Sequence, residues 1–184
     1  MINKFSSFIE RLANWKFFTF FILFYLFFAG YVLKNAEDKI NTLAGKKIGV
    51  IDLTFGFDPG RTLSMVAEYG DPARAYYAMV EMTADVAYPI IYAFLFGIIL
   101  SFLYRRKQFS RINVLPFITM LFDYAENVNV VSLLYSFPGQ SNAVAILLES
   151  FKLLKWSSLG ICVVFILVGL LNALLTLFKR SSQS

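Results

Sequence analysis

Three carboxylates, Asp85, Asp123 and Glu126, stand inside long apolar stretches, and Asn127 lies beside the last of them. Ionisable groups in such surroundings are costly and mark either a site or a structural lock. Their types allow three kinds of chemistry. Paired with a basic group, they form a buried lock that fixes helix register without adding stability. Carboxylate and amide oxygens together suit a proton, a polar ligand or a hard cation such as Ca²⁺ or Mg²⁺, with Asp85, Asp123 and Glu126 as the metal ligands in that case. Two acids can also work as general acid and base on a lipid-like substrate, although neither a nucleophile nor an oxyanion device accompanies them.

The chain around these residues is 58% hydrophobic over 184 residues, with 21 Phe and a mean hydropathy of +0.64. A soluble domain of this length is far more polar. The apolar residues come in blocks long enough to cross a bilayer, so the expected fold class is an all-α membrane protein, one membrane domain over residues 1–184. The sequence has no histidine, which removes imidazole-ligated haem, the usual zinc sites and any His-based triad. It carries no Walker loop or dinucleotide fingerprint, and no cofactor is expected. The single cysteine, Cys162, reads as a small packing residue. The net charge of +5 bears on orientation in the membrane and not on nucleic acid. The expected partners are the lipid bilayer and a small cation or polar ligand, with oligomerisation left open.

Four spans position the polar residues: about 17–33, 78–103, 114–135 and 156–178. Lys4, Arg11 and Lys16 precede the first, and its length and Phe content favour a retained helix over a cleaved signal peptide. Arg105, Arg106, Lys107 and Arg111 follow the second, and Lys179 and Arg180 close the fourth. These basic groups agree on one topology, with both termini and the short basic loop cytoplasmic. The location is then a cell membrane, multi-pass, and the loop at about 34–77 is extracytoplasmic and packed over the bundle. Within that loop Ile48 to Phe57 reads as a short strand or a tucked segment. Asp58-Pro59 and Asp71-Pro72 each read as a helix start, with Asp as cap and Pro in the first turn. Residues 142–155 carry an apolar stripe, Leu147, Leu148, Phe151 and Leu154, which suits an extension of the last helix or an interfacial helix.

On a continuous second helix, Arg74, Tyr77, Glu81, Asp85, Tyr88 and Tyr92 share one face. The third span presents Thr119, Asp123, Glu126, Asn127 and Val130. Counting at about 1.5 Å per residue puts Asp85 and Glu126 on the order of 10 Å from the outer end, level enough to meet. An Asp at a helix centre costs about 2.5–3.5 kcal/mol, while the apolar residues of the third span together return roughly 5 kcal/mol. That helix is marginal alone, and its polar face must point into the bundle. The candidate counter-ions are Arg74, Arg61, Lys152 and Lys155, with Arg74 first because a guanidinium grips a carboxylate with two bonds. An acid that stays protonated needs no counter-ion. Pro89 frees a carbonyl near the stripe. Gly30, Gly97, Gly160 and Gly169 allow close helix approach. The predicted cluster is therefore Arg74, Tyr77, Asp85, Tyr88, Asp123, Glu126 and Asn127.

Taken together, Tyr69-Gly70-x-x-x-Arg74-x-x-Tyr77, Asp85-x-x-Tyr88-Pro89-x-x-Tyr92 and Asp123-x-x-Glu126-Asn127 resemble a pattern in uncharacterised bacterial four-helix integral membrane proteins. The resemblance implies a bacterial inner-membrane location and groups Arg74, Asp85, Asp123, Glu126 and Asn127 as one cluster. It implies no substrate.

Overall fold

The computed structural model describes residues 2–105 and 110–181, so Arg106 and Lys107 of the basic run lie outside the described residues. Seven α-helices are described: α1 (Ile2–Leu12), α2 (Trp15–Phe27), α3 (Leu33–Ala44), α4 (Pro59–Glu81), α5 (Ala84–Tyr104), α6 (Leu115–Ser136) and α7 (Asn142–Ser181). Among these residues there is no strand. Three stretches are long and apolar enough to cross a membrane: Trp15–Ala44, Pro59–Tyr104 and Asn142–Lys179. The expected third span, now α6, falls outside that set, because Asp123, Glu126, Asn127 and Asn129 dilute its apolar residues.

Local signals explain most of the boundaries. The Asn14 side chain accepts hydrogen bonds from the Lys16 and Phe17 amides at 3.0 and 3.2 Å and starts α2. A π-helical turn at Phe28–Val32 joins α2 to α3, so the first helical rod runs well beyond the span expected at 17–33. Gly45, at φ 69°, ends α3 in the left-handed conformation that favours glycine. Asp58 caps α4 through the Arg61 amide at 2.9 Å, with Pro59 in the first turn. The second Asp-Pro start also marks a new helical run. Gly70, at φ 72° and ψ 163°, kinks α4 just before Asp71 and Pro72, in a region essentially reserved for glycine.

The expectation of one continuous helix over 78–103 is corrected. The chain breaks at Met82 and Thr83, where Thr83 leaves helical geometry at φ −127° and ψ −82°. Glu81 therefore ends one helix, and Asp85 stands in the first turn of the next. Residues 142–155 are a continuous extension of the last helix, giving a single rod of 40 residues. The segment after α3 is tucked rather than a strand. Asn41 Oδ1 accepts from the Ile48 and Gly49 amides at 2.8 and 2.9 Å, and Ile51 is fully buried in a short 3₁₀ turn.

Two apolar clusters hold the ends of the bundle. One joins Ile40, Ile51 and Val66 to Val130, Leu133 and Leu148, and the other joins Ile9 to Tyr92, Ala93 and Phe117. At the second end Asn113 Nδ2 donates to the Ser6 carbonyl at 3.0 Å and fixes α1 beside residues 110–114. Along α6 the polar residues from Thr119 to Asn127 lie between these two clusters.

Two of the four glycines singled out for close approach lie at tight contacts. A Cβ on Gly97 would meet the Asn113 carbonyl oxygen at 3.0 Å, and one on Gly169 would meet Leu103 at 2.9 Å, whereas Gly30 and Gly160 face nothing within 4 Å. Gly97→Val and Gly169→Val are therefore expected to cost about 1–3 kcal/mol each by overpacking. Gly160→Val should be close to neutral, and melting curves in detergent check the contrast.

Candidate functional site

The position of Lys155 follows from the period of α7. Glu149, Lys152, Lys155 and Ser158 recur every third residue, and all are buried, with Ala145, Leu148 and Cys162 on the same side. The stripe Leu147, Leu148, Phe151 and Leu154 is not the inward face: Leu147 and Leu154 are exposed, and only Leu148 is fully buried. This stretch of α7 turns its charges inward.

On α6, Asp123 and Glu126 are three residues apart and project to the same side. Lys155 meets both. Its ammonium stands 3.3 Å from Asp123 Oδ1 and is ion-paired with Glu126 Oε2. Asp123 Oδ2 also accepts from the Tyr92 hydroxyl at 2.9 Å, and Thr119 donates to Ser158 Oγ at 2.9 Å. Asp85 is held by Asn127, whose Nδ2 donates to Asp85 Oδ2 at 2.8 Å and to the Asp85 carbonyl at 3.2 Å. The second bond has a cause in the sequence. Pro89 stands four residues after Asp85 and has no N–H for that carbonyl, so the amide of Asn127 supplies the donor.

Arg74 is not the counter-ion, and that expectation is corrected. Its guanidinium pairs with Asp71, donates to the Val66 carbonyl at 2.9 Å and stacks 3.8 Å from the centre of the Phe137 ring. The physical reason is the kink at Gly70. Val66 belongs to the last turn before the kink, where helix carbonyls lack intrahelical partners, and Arg74 sits one turn past it. Tyr77 also turns elsewhere: its hydroxyl donates to Asp52 Oδ1 at 2.9 Å and accepts from the Ile51 amide at 2.9 Å. Tyr88 stacks on Tyr25 at 5.7 Å. The predicted set thus divides. Asp85, Asp123, Glu126 and Asn127 come together, Tyr77 and Tyr88 reach the same cavity by other contacts, and Arg74 belongs to the kink.

That cavity, of about 460 Å³, lies between the α2–α3 rod and helices α4 to α7. Asp52, Glu81, Asp85, Asp123 and Lys155 line it, together with Tyr25, Tyr77, Tyr88, Tyr92, Phe96 and Trp156. Glu81 is only 3% exposed, yet among the described residues its Oε2 has no hydrogen-bond partner. A buried carboxylate oxygen left unpaired costs more than an ordinary unsatisfied polar atom. Four buried acids, Glu81, Asp85, Asp123 and Glu126, surround this layer against one buried ammonium, that of Lys155, which pairs with Asp123 and Glu126. With all four ionised the site carries excess negative charge, which a proton or a bound cation offsets. Among the described residues no group of three His, Cys, Asp or Glu side chains is placed to hold a metal ion. Asp123 and Glu126 turn to Lys155, and Asp85 turns to Asn127.

Residues absent from the predicted cluster complete the layer. Lys155 was one of four candidate cations, and Glu81 appeared only on the helical stripe. Asp52 comes from the tucked segment, where no periodicity points to it. A second ion pair lies one turn along α7: Lys152 Nζ to Glu149 Oε1 at 2.7 Å. Thr62 Oγ1 and the Asp58 amide donate to Glu149 at 2.7 and 3.0 Å, and Lys152 donates to Thr54 Oγ1 at 2.6 Å, which fastens residues 54–62 to α7. The three-residue spacing of Glu149, Lys152 and Lys155 was the available signal for both pairs.

No protein family, curated protein or solved structure matches this chain. The site is therefore read from its own geometry.

Removing one partner of a buried ion pair leaves an uncompensated charge and costs about 3–5 kcal/mol. Lys155→Met should show a loss of that order, partly recovered when Asp123→Asn and Glu126→Gln are added. Arg74→Met should cost less, because its Asp71 partner is 93% exposed. Melting temperatures of the purified protein check the order, and equal losses for the two single variants would remove Lys155 from the centre.

Proposed function

We propose that this chain is a four-span integral membrane protein whose polar layer binds a small, positively charged or strongly polar ligand. The observation that carries the reading is Glu81, a buried carboxylate with an unpartnered oxygen on the wall of a cavity of about 460 Å³. Pockets of about 300–1,000 Å³ with a few convergent polar groups are the usual form of small-molecule sites. The break between α4 and α5 adds support. Discontinuous helices in membrane proteins bring helix ends and their free backbone groups to ligand sites, and Glu81 and Asp85 flank this break.

Within the layer the lock and the binding site divide the residues. Lys155, Asp123 and Glu126 join α6 to α7, while Glu81, Asp85 and Asp52 hold the excess negative charge beside open space. Three apolar stretches of sufficient length support the membrane assignment. For α6 the support is its outer face, where Ile118, Leu121 and Val128 are exposed on one side and suit contact with lipid. The orientation, with both termini cytoplasmic, rests on Lys4, Arg11 and Lys16 standing at the same end of the bundle as Arg105 and Arg111, an end tied together by the Asn113–Ser6 bond. The tucked segment and the start of α7 then face the opposite, extracytoplasmic side. A bacterial inner membrane is the location we favour.

Two measurements test this reading. In a Cys162→Ala background, Lys47→Cys should react with a membrane-impermeant maleimide on intact cells, and Lys4→Cys only after lysis; the reverse pattern would invert the topology. In detergent, a panel of K⁺, Mg²⁺, Ca²⁺ and small organic cations should contain at least one that raises the melting temperature of the wild type but not of Glu81→Gln. A panel without effect on the wild type would leave the layer as a lock alone.

A further inference from the structure

The cavity wall has a chemistry narrower than "cationic or polar". Its acids are Glu37, Asp52, Glu81, Asp85 and Asp123; of its two cations Lys34 is exposed, and the buried one, Lys155, is already engaged by two carboxylates. With these acids ionised, a guest that meets the remaining charge is positive. Beside these acids the wall is aromatic. Tyr25 and Tyr88 stack at 5.7 Å, Tyr88 and Tyr92 meet edge-on at 5.6 Å, and Trp156 is fixed by its indole N–H to the Asp52 carbonyl at 3.3 Å. Faces of Tyr and Trp attract an ammonium and pack against an apolar body with equal ease. Ala29, Leu33, Ile40, Val80 and Leu159 complete the wall with hydrocarbon. A bare metal ion uses little of this surface, and among the described residues no three ligating side chains converge on one point. A cavity of about 460 Å³ also far exceeds the needs of a single inorganic ion. The rim carries exposed Lys34 and Leu53 beside half-buried Glu37, so the acidic wall lies deeper than the entrance.

We propose that the cavity holds an organic ammonium ion, an amine with an aromatic or short aliphatic body, its charge at Glu81 and Asp85 and its body against Tyr25, Tyr88 and Trp156. The proposal rests on the ligand-site reading above and names its ligand class. The charged head satisfies the unpartnered Glu81 oxygen, and the body fills the aromatic part of the wall. An amine of this kind gains from both, whereas a neutral isostere gains only from the second.

Trp156 provides a direct readout. The full chain carrying Trp15→Phe retains Trp156 as its single tryptophan, and its fluorescence can be titrated in detergent with phenethylamine, hexylamine and methylamine. Controls are phenethyl alcohol, hexanol, hexanoate, K⁺ and Ca²⁺. The amines should change the emission saturably, and the alcohols and hexanoate should bind about tenfold or more weakly, as expected for loss of a hydrogen bond to a charged group. Glu81→Gln should remove that difference. Tyr88→Leu, which leaves every acid in place, should weaken phenethylamine more than methylamine, which has no body to pack on the ring. If K⁺ or Ca²⁺ competes or stabilises while no amine binds, the ligand site stands and the amine assignment falls. Equal binding of amines and alcohols also overturns it. If no probe binds, amine or inorganic cation, both readings fall.

Discussion

One ammonium, carried on α7, stands between two carboxylates that α6 presents a single turn apart. This arrangement fixes how the two helices face each other. It sets the rotation of α7 about its own axis, because Lys155 can reach Asp123 and Glu126 only when the Glu149–Lys152–Lys155–Ser158 face is inward. It also sets the axial offset between the helices, since the charges must be level. The rotation brings Lys152 and Glu149 to the segment that precedes α4, and Trp156 to the carbonyl of Asp52. Buried ion pairs of this sort contribute little net stability compared with well-packed apolar residues. Their effect here is to specify register between two helices whose apolar residues alone would allow several.

The second constraint is the interrupted rod of α4 and α5. A helix that stops at Glu81 and resumes at Ala84 exposes backbone groups that must find partners away from water. Thr83 Oγ1 donates to the Met79 carbonyl at 2.6 Å, and Asn127 takes up the carbonyl that Pro89 cannot serve. Asn127 thereby holds both the backbone and the side chain of Asp85, which links the break directly to the acidic wall. Polar residues that look like pure cost on α6 are in this way the partners that make a broken neighbour tolerable.

Much of this was legible in the sequence, and the failures have definite causes. Long apolar blocks announced the helices, and the Asp-Pro starts placed both helical runs of α4. Asp85, Asp123, Glu126 and Asn127 could be grouped because their intervals on α5 and α6 are purely helical and undisturbed. The role given to Arg74 failed because it extended one helical period through the break at Met82 and Thr83, and because the kink at Gly70 offers Arg74 the carbonyl of Val66 instead. The boundary at Gly70 was marked by Asp71-Pro72, but nothing local says that Arg74 would reach back across it, and Met82-Thr83 carries no breaker residue at all. Lys155 was hidden by ambiguity: residues 142–155 have an apolar stripe and a polar one, and nothing within the helix says which side meets the bundle. Only the acids on α6 settle that, through a contact between residues far apart in the chain. Asp52 had no local signal, since the tucked segment is placed by Asn41, Tyr69 and Tyr77 and not by its own periodicity.

The length of α7 has a bearing on how a solute would arrive. Lys155 stands about 36 Å along the helix axis from Lys179, whereas the hydrocarbon layer of a bilayer is about 30 Å thick. With Lys179 anchored among the cytoplasmic headgroups, as in the topology proposed above, Lys155 reaches the headgroup zone of the opposite leaflet. The carboxylates it meets are then lifted toward that zone, out of the driest part of the bilayer. A molecule approaching from that side would meet the acidic wall before entering the acyl chains, and the protein would shelter a water-soluble guest at the shoreline of the membrane.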